Sequence, residues 1–433
     1  MINIARFKKS KLFQDSLWAV GGNGLGNFFL LVAGILIARL LGKDLYGEYG
    51  MVKTTMFHIA SFSTFGLGLT STKFVSEFLQ RDRSLVRSII RKSLIITMIS
   101  SVLLCIILCA FSNQLANFIN EPQLSTAFRF LGVIMICRAM GITSGAICAG
   151  FKEFKFIGIN NVISGFSLMV FGFVFTYYKS IDGALVALLL SQLIICILNM
   201  VVVSLQYKKL PSDNKEIKTH ILRDSLPVAL QELSYLVATW GTTLILAKYA
   251  SIGDVGIWTA AQQWNAIVIF IPGLLLNVVL SYLSGSIDIN HHVNMLKKML
   301  VINFLCALVP FVVVACFSSF IVSLYGNTFV GMHSVLVVLL LSSVFMCLSN
   351  VLLSDFISLG RNWELLFARF VRDAILLLAL YFVVTKNSEN AAFNFAIIHV
   401  VAYIVFFLVL SLLLKNVYRG GRNDLQKVDS NNQ

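Results

Sequence analysis

The sequence predicts an all-α membrane protein with about twelve transmembrane helices. Hydrophobic residues make up 58% of the 433 positions and charged residues 12%, whereas an average soluble domain is about 25% charged. The first long apolar stretch, residues 16–40, contains no acidic side chain and one basic side chain, Arg39. A helix of that length exceeds the roughly 30 Å of a hydrocarbon core. The same pattern recurs near the middle of the chain, so a duplicated architecture is also expected.

Twelve stretches of this kind follow one another along the chain. Helices of such length satisfy their own backbone hydrogen bonds in lipid, which is why the predicted class is all-α. Several stretches exceed 25 residues, so tilted or kinked helices are expected. The predicted spans are 16–40, 46–69, 93–112, 124–150, 156–177, 184–206, 225–248, 255–283, 297–320, 333–359, 365–384 and 391–414.

An internal repeat divides the chain into two halves. Residues 15–50 align without a gap on residues 224–259, and a second match pairs Gly150 with Gly360. Each half holds six spans, an even number, so both halves enter the membrane in the same direction, with substrate between them. The prediction is an N-terminal lobe (1–206), a cytoplasmic linker (207–224), a parallel C-terminal lobe (225–414) and a cytoplasmic tail (415–433).

The net charge of +14 is explained by membrane topology. With the N-terminus placed in the cytoplasm, 24 of the 34 basic residues lie on cytoplasmic segments and four lie on the opposite side. This asymmetry predicts that both termini are cytoplasmic. The positive charge is therefore a topology signal, and nucleic acid is not expected as a partner.

Cysteine and histidine spacing predicts no metal site and no other cofactor. All eight cysteines fall inside predicted spans, where they are interpreted as small apolar residues without disulfides. His291 and His292, in a predicted loop, lack the helical spacing of a metal-binding pair.

A basic segment, residues 73–92, follows the second span. Apolar residues from Phe74 to Ile89 can line one side of a helix, while Arg83 and Arg87 lie on another side. A basic amphipathic helix lying on the anionic cytoplasmic leaflet is predicted. The alternative is a solvated positive loop.

The first span carries a GxxxG motif at Gly22 and Gly26, which predicts close helix packing. Asn23 and Asn27 are four residues apart and share one helix face. They are candidate contacts for the hydroxyls of a sugar substrate. A partner helix is equally able to satisfy them.

Two basic residues lie deep in predicted spans of the first half. Arg138 is roughly 21 Å from either end of span 124–150, so it must face protein, water or an anion. The competing interpretation is a buried ion pair with Glu232 or Asp355. Lys53 lies about 10 Å inside its span, where it can either line a cavity or extend to the membrane surface.

Polar residues of the second half supply the remaining candidates. Glu232 aligns with Asn23 in the repeat and is a candidate coupling acid, as is Asp355, because a buried carboxylate can take up a proton. An interhelical hydrogen bond or ion pair is the alternative. Gln262 and Asn265 offer amides suited to sugar hydroxyls.

Arg369 and Arg372 lie three residues apart in the cytoplasmic third of span 365–384, beside Glu364 and Asp373. Such a cluster can receive an anionic head group from the cytoplasm. The other interpretation is that the neighbouring acids neutralise the two arginines, which then only anchor the helix.

Three motifs in the first 80 residues resemble a known family. Residues 37–42 (IARLLG), 46–50 (YGEYG) and 72–77 (TKFVSE) look like the N-terminal region of bacterial polysaccharide-export flippases. Those proteins belong to the multidrug/oligosaccharidyl-lipid/polysaccharide (MOP) exporter superfamily. The resemblance implies a MATE-like V of two lobes, located in the bacterial inner membrane.

The resemblance also implies a function. The expected substrate is an undecaprenyl-pyrophosphate-linked oligosaccharide, flipped to the periplasmic leaflet for O-antigen (lipopolysaccharide), capsule or exopolysaccharide assembly. Basic cavity residues of relatives serve the pyrophosphate, and the matching chemistry can come from Arg138, Lys53, Arg369 or Arg372. Membrane lipids, H+ or Na+, and a polysaccharide polymerase or glycosyltransferases are the further partners considered.

Two other functions compete with the flippase. A cation-coupled multidrug exporter of the same superfamily would need acids in its cleft, and residues 16–40 contain none. A membrane enzyme would need catalytic groups on a sizeable outer loop, and the predicted outer loops are short and lack clustered acids. The protein is therefore not expected to be an enzyme.

Overall fold

The computed structural model describes residues 11–211, 221–284, 289–359 and 361–431. All regular elements within these ranges are α-helices, which confirms the predicted fold class. In the first half they are α1 (Lys11–Ser63), α2 (Leu67–Arg81), α3 (Arg83–Ala110), α4 (Ser112–Phe118), α5 (Leu124–Gly150) and α6 (Phe154–Lys208). The second half contains α7 (Ile221–Tyr249), α8 (Ile252–Ser284), α9 (Ile289–Cys316), α10 (Ser318–Tyr325), α11 (Met332–Ser358), α12 (Asn362–Lys386) and α13 (Ala391–Asn431).

Within the described residues, seven helices are long and apolar enough to cross a membrane. Of these, α6 covers the predicted spans 156–177 and 184–206, whereas α1 covers span 16–40 and span 46–69 as far as Ser63. Each is interrupted by a kink, at Gly42 (φ 72°, ψ 174°) in α1 and at Ser180 (φ 52°, ψ −132°) in α6. A glycine adopts positive φ without the steric cost of a Cβ atom. Both kinks fall between predicted spans, so each long helix can supply two membrane crossings.

Helices α1 and α6 pack closely through glycine, as the GxxxG motif predicted. A Cβ atom at Gly22 would lie 2.3 Å from the Cα of Gly158, and one at Gly26 would lie 2.9 Å from the carbonyl oxygen of Asn161. Such distances leave no room for any side chain, because real Cβ atoms do not approach backbone so closely. The small residues therefore set the separation of the two helices.

The substitution Gly22→Ala is expected to lower the stability of the protein, because its methyl group would push α1 away from α6. Overpacking of this kind costs about 1–3 kcal/mol. Gly21→Ala is the matched control, since nothing lies within 4 Å of a Cβ atom at Gly21. Thermal unfolding in detergent should show a lower midpoint for Gly22→Ala only. Equal midpoints for the two variants would contradict the packing argument.

The basic segment 73–92 is not one helix, so that prediction was wrong. Asp82 separates α2 from α3 in an extended conformation (φ −155°, ψ 96°), and its carboxylate accepts a hydrogen bond of 3.0 Å from the backbone amide of Ser84. The aspartate caps α3 and so competes with a continuous helix. Phe74 and Ile89 are buried in a protein core with Ile147, so this apolar face packs against protein instead of the leaflet.

Contacts divide the chain into two units, Met1–Lys248 and Tyr249–Gln433. The division lies at the end of α7, whereas the sequence assigned residues 225–248 to the C-terminal lobe. Helix α7 contacts the first unit, where its Trp240 donates a hydrogen bond of 3.0 Å to Thr55 of α1. Part of the predicted linker lies outside the described residues, and the lobe boundaries stay a prediction.

Candidate functional site

Arg138, on α5, is the centre of a polar cluster in the first unit. Its Nη1 donates a hydrogen bond of 3.2 Å to Oε1 of Gln192 on α6, and its guanidinium lies 4.2 Å from the ring centroid of Phe57 on α1. The Nε atom of Arg138 is buried, and no partner for it occurs among the described residues. One neutral amide and one ring therefore hold the guanidinium and leave part of its donor capacity unused.

Lys53 joins this cluster from α1. Tyr49, Lys53 and Phe57 are spaced four residues apart, which places them on one helix face. The ammonium group of Lys53 lies 5.9 Å from the ring centroid of Tyr49, and Phe57, one turn further along α1, contacts the guanidinium of Arg138. The phenol oxygen of Tyr49 is buried with no hydrogen-bond partner in the described part of the chain. We call Tyr49, Lys53, Phe57, Arg138 and Gln192 the Arg138 cluster.

The Arg138 cluster is electrostatically unbalanced. Among the carboxylates whose side chains the structure describes, none lies within 4.0 Å of the charged nitrogens of Arg138 or Lys53. Glu48, the nearest acid along α1, is instead bonded to Gln123 at 3.4 Å. Two cations on partly buried side chains, without a described carboxylate beside them, attract an anion.

Glu232 and Asp355 are the two acids that the sequence offered as ion-pair partners of Arg138. The side chain of Glu232 lies outside the described residues, so its predicted role is untested. Asp355 is fully buried in the second unit, where its Oδ1 lies 2.6 Å from Nε2 of His292 and its Oδ2 accepts a 2.5 Å hydrogen bond from the hydroxyl of Tyr418. The carboxylate of Asp355 is thus satisfied within its own unit.

His292 also corrects a prediction. The sequence placed His291 and His292 in a loop, whereas α9 begins at Ile289 and includes both. The helix carries His292 into the core, where 5% of its surface is exposed. Within the described residues, no three histidine, cysteine or acidic side chains are grouped so that they could hold a metal.

Asn23 and Asn27 of α1 lie in different environments. Asn23 Oδ1 accepts a hydrogen bond from Nδ2 of Asn161 on α6, beside the close approach of Gly26. Asn27 is exposed. The structure therefore favours the helix-packing interpretation of Asn23, whereas Asn27 stays available to a ligand.

Gln262 and Asn265, on α8, differ in the same way. Gln262 is exposed. Asn265 is buried, and its Oδ1 accepts a 2.5 Å hydrogen bond from Ser343 of α11. Asn265 thus joins two helices of the second unit.

Arg372 is paired within the second unit. Its Nη2 and Nε lie 2.6 and 2.9 Å from the same oxygen of Asp373, and its guanidinium lies 4.9 Å from the ring of Phe406. This geometry favours the self-neutralised interpretation of Arg372. Arg369 is half-buried, and its charge interacts with those of Arg372 and Asp373.

Sequence reasoning missed several partners. Gln192 is a single amide within an apolar stretch of α6, and this isolation could have indicated that it has a polar partner. Tyr49 and Phe57 could have been found from their four-residue spacing to Lys53. His292 and Tyr418 lie 63 residues from Asp355 on either side, so no local pattern relates them.

Solved transporter structures match nearly the whole chain. An inward-facing multidrug-resistance MATE transporter of the MOP superfamily aligns with a TM-score of 0.79 and 17% identity, over 91% of this chain and 96% of that chain. A MOP-superfamily transporter from Pyrococcus furiosus Vc1 aligns with a TM-score of 0.66 and 17% identity, over 92% and 94%. A Vibrio cholerae MATE transporter gives 0.65 and 17%, over 94% and 97%. At such identities these matches show the fold alone.

The sequence itself matches one family model. The model for polysaccharide biosynthesis proteins covers residues 12–271, more than half of the chain. No curated protein matches the sequence closely enough to be informative. The resemblance inferred from the N-terminal motifs is thereby confirmed. The chain belongs to the polysaccharide biosynthesis protein family and is a multi-pass membrane protein with the fold of MOP-superfamily transporters.

Proposed function

We propose that this protein is a transporter, namely a flippase for undecaprenyl-pyrophosphate-linked oligosaccharide. It moves the repeat unit from the cytoplasmic to the periplasmic leaflet by alternating access, for assembly of O-antigen, capsule or exopolysaccharide. The observation that carries the proposal is the Arg138 cluster, whose two cations have no described carboxylate within ion-pair distance. A polymerase or glycosyltransferase would use the product on the periplasmic side.

The chemistry of the substrate explains why such a cluster is needed. A pyrophosphate carrying several sugars cannot cross hydrocarbon unaided, because its charged and hydroxyl groups would lose their hydrogen bonds to water. Arginine replaces that water well, since its planar guanidinium donates two parallel hydrogen bonds to a phosphate. Lys53, one helical turn from the Phe57 ring that contacts Arg138, adds a second positive charge to the cluster. The lipid tail can stay in the bilayer while the head group moves.

The polarity of the cluster distinguishes this proposal from export of cationic drugs. A cationic drug would be repelled by Arg138 and Lys53, which have no described carboxylate within ion-pair distance. Among proteins of this fold, a reversed polarity of the binding pocket has suggested a different function for the Pyrococcus furiosus transporter. The same reasoning supports an anionic substrate here.

Two acids are proposed for ion coupling. Asp355 is buried and bonded to His292, so proton uptake on this pair would change the hydrogen bonding between α9 and α11. Glu232 aligns with Asn23 in the repeat. The membrane potential alone also favours outward movement of an anion, by about 2.3 kcal/mol per charge per 100 mV.

The proposal is tested by the leaflet distribution of radiolabelled undecaprenyl-pyrophosphate-oligosaccharide in spheroplasts. Sugars exposed on the outer face are oxidised by a membrane-impermeant reagent, and those on the inner face are protected. Cells lacking the protein should accumulate protected substrate on the inner face. Expression of the wild-type chain should remove this accumulation. Total lipid-linked oligosaccharide is measured as a control for synthesis. Equal distributions with and without the protein would overturn the proposal.

A further inference from the structure

The second unit contains a cavity of about 410 Å³ between α9 and α13. Each of these helices contributes four residues at the spacing of a single helix face, and buried Leu352 of α11 also lines the cavity. The volume is within the usual range for ligand pockets. The lining residues from the two faces are Val293, Leu296, Lys297, Leu300, Ser411, Leu414, Lys415 and Tyr418.

The cavity combines apolar walls with two cations. Leu296 and Leu414 are buried, whereas Lys297 and Lys415 are exposed. Neither lysine lies within 4.0 Å of a carboxylate in the part of the chain that the structure describes. A phosphate placed between the two ammonium groups would offset their mutual repulsion.

The position of the lysines along the helices fits the edge of a membrane. Lys297 is the first residue of the predicted span 297–320, and Lys415 directly follows the predicted span 391–414. Both are predicted to lie at the cytoplasmic end. Cytoplasmic leaflets contain anionic lipids, which attract lysines at this level by about 1 kcal/mol each. The leucines then lie at the depth of acyl chains.

The hydroxyl of Tyr418 does not donate to a ligand in the cavity. It donates to Asp355 Oδ2 at 2.5 Å, away from the solvent. Recognition of an anionic head group is thus left to Lys297 and Lys415, and the ring of Tyr418 serves as part of the wall.

We propose that this cavity binds one anionic phospholipid of the cytoplasmic leaflet. Lys297 and Lys415 hold its phosphate, and the leucines of α9 and α13 contact the upper part of an acyl chain. The site lies within the second unit and shares no residue with the Arg138 cluster, and it does not depend on the transported substrate.

Native mass spectrometry of the purified full-length chain tests the proposal, with phosphatidylglycerol and phosphatidylcholine as probes. The wild-type chain should retain one phosphatidylglycerol more strongly than phosphatidylcholine. Removing both ammonium groups in Lys297→Ala/Lys415→Ala should weaken phosphatidylglycerol binding about 30-fold. The matched control is Lys298→Ala/Lys208→Ala, which removes the same charge from exposed lysines that do not line the cavity. The control should bind as the wild type does.

A second variant separates the cavity from its charge. Leu300→Trp fills the cavity while both lysines remain, and it should also release the lipid. Retention of phosphatidylglycerol by Leu300→Trp, or equal loss in the control pair, would overturn the proposal. Displacement of phosphatidylglycerol by equimolar undecaprenyl phosphate would overturn the assignment to a membrane phospholipid.

Discussion

Arg138→Ala is expected to abolish most transport while the protein remains folded. The substitution removes the guanidinium that we propose binds the pyrophosphate, and Lys53 alone cannot supply the same parallel hydrogen bonds. Charge-assisted hydrogen bonds contribute about 1.5–3 kcal/mol each, so the rate should fall at least about tenfold. The measurement is the initial rate at which lipid-linked oligosaccharide becomes accessible on the outer face of spheroplasts. Arg138→Lys should give an intermediate rate, because it keeps the charge and loses the planar fork.

Arg129 provides the matched control for Arg138. It lies on the same helix, but its guanidinium is bonded to Ser112 Oγ at 3.2 Å and to Asn113 Oδ1 at 3.0 Å. Arg129→Ala removes one arginine from α5 without touching the Arg138 cluster, and its transport rate should match the wild type. Equal rates for Arg138→Ala and the wild type would show that Arg138 is a packing residue.

Asp355→Ala should destabilise the protein more than any other single acid-to-alanine change among the described acids. The substitution leaves His292 and Tyr418 facing a buried space from which their acceptor is missing. Leaving a buried hydrogen-bonding group without its partner costs about 1–3 kcal/mol, and here two groups lose theirs. The measurement is thermal unfolding in detergent. Glu364→Ala is the control, because its ion pair with Arg361 is exposed and such pairs contribute at most about 1 kcal/mol.

Asp355→Asn separates stability from coupling. The amide keeps an oxygen acceptor of similar size but cannot be ionised. If Asp355 couples transport to protons, this variant should flip substrate at a rate that no longer responds to an imposed pH gradient. An unchanged response to the gradient would leave Asp355 with a structural role only.

The sequence predicted the all-α membrane class correctly because this class depends on local properties. A stretch of apolar residues long enough to cross lipid must be helical wherever it lies in the molecule. The GxxxG motif also predicted close helix packing correctly, since small residues on one helix face allow a neighbouring helix to approach closely. Asp82 is the local exception, because its side chain caps α3 and breaks a pattern that hydrophobic periodicity alone would continue.

The partners of the polar side chains were decided by the tertiary structure. Arg138 bonds to Gln192, 54 residues away, and Asn23 bonds to Asn161, 138 residues away. Asp355, proposed from the sequence as a partner of Arg138, is instead bonded to His292 and Tyr418.

The physical reason lies in how helices pack. Sequence determines which residues share a face of one helix, because the helical repeat is constant. Which face meets which neighbour depends on the rotation and separation of packed helices, which arise from many weak contacts together. The chain by itself therefore determined that it crosses a membrane and carries deep cations. Only the tertiary structure decided that Arg138 and Lys53 share one cluster, and that Asp355 is bonded elsewhere.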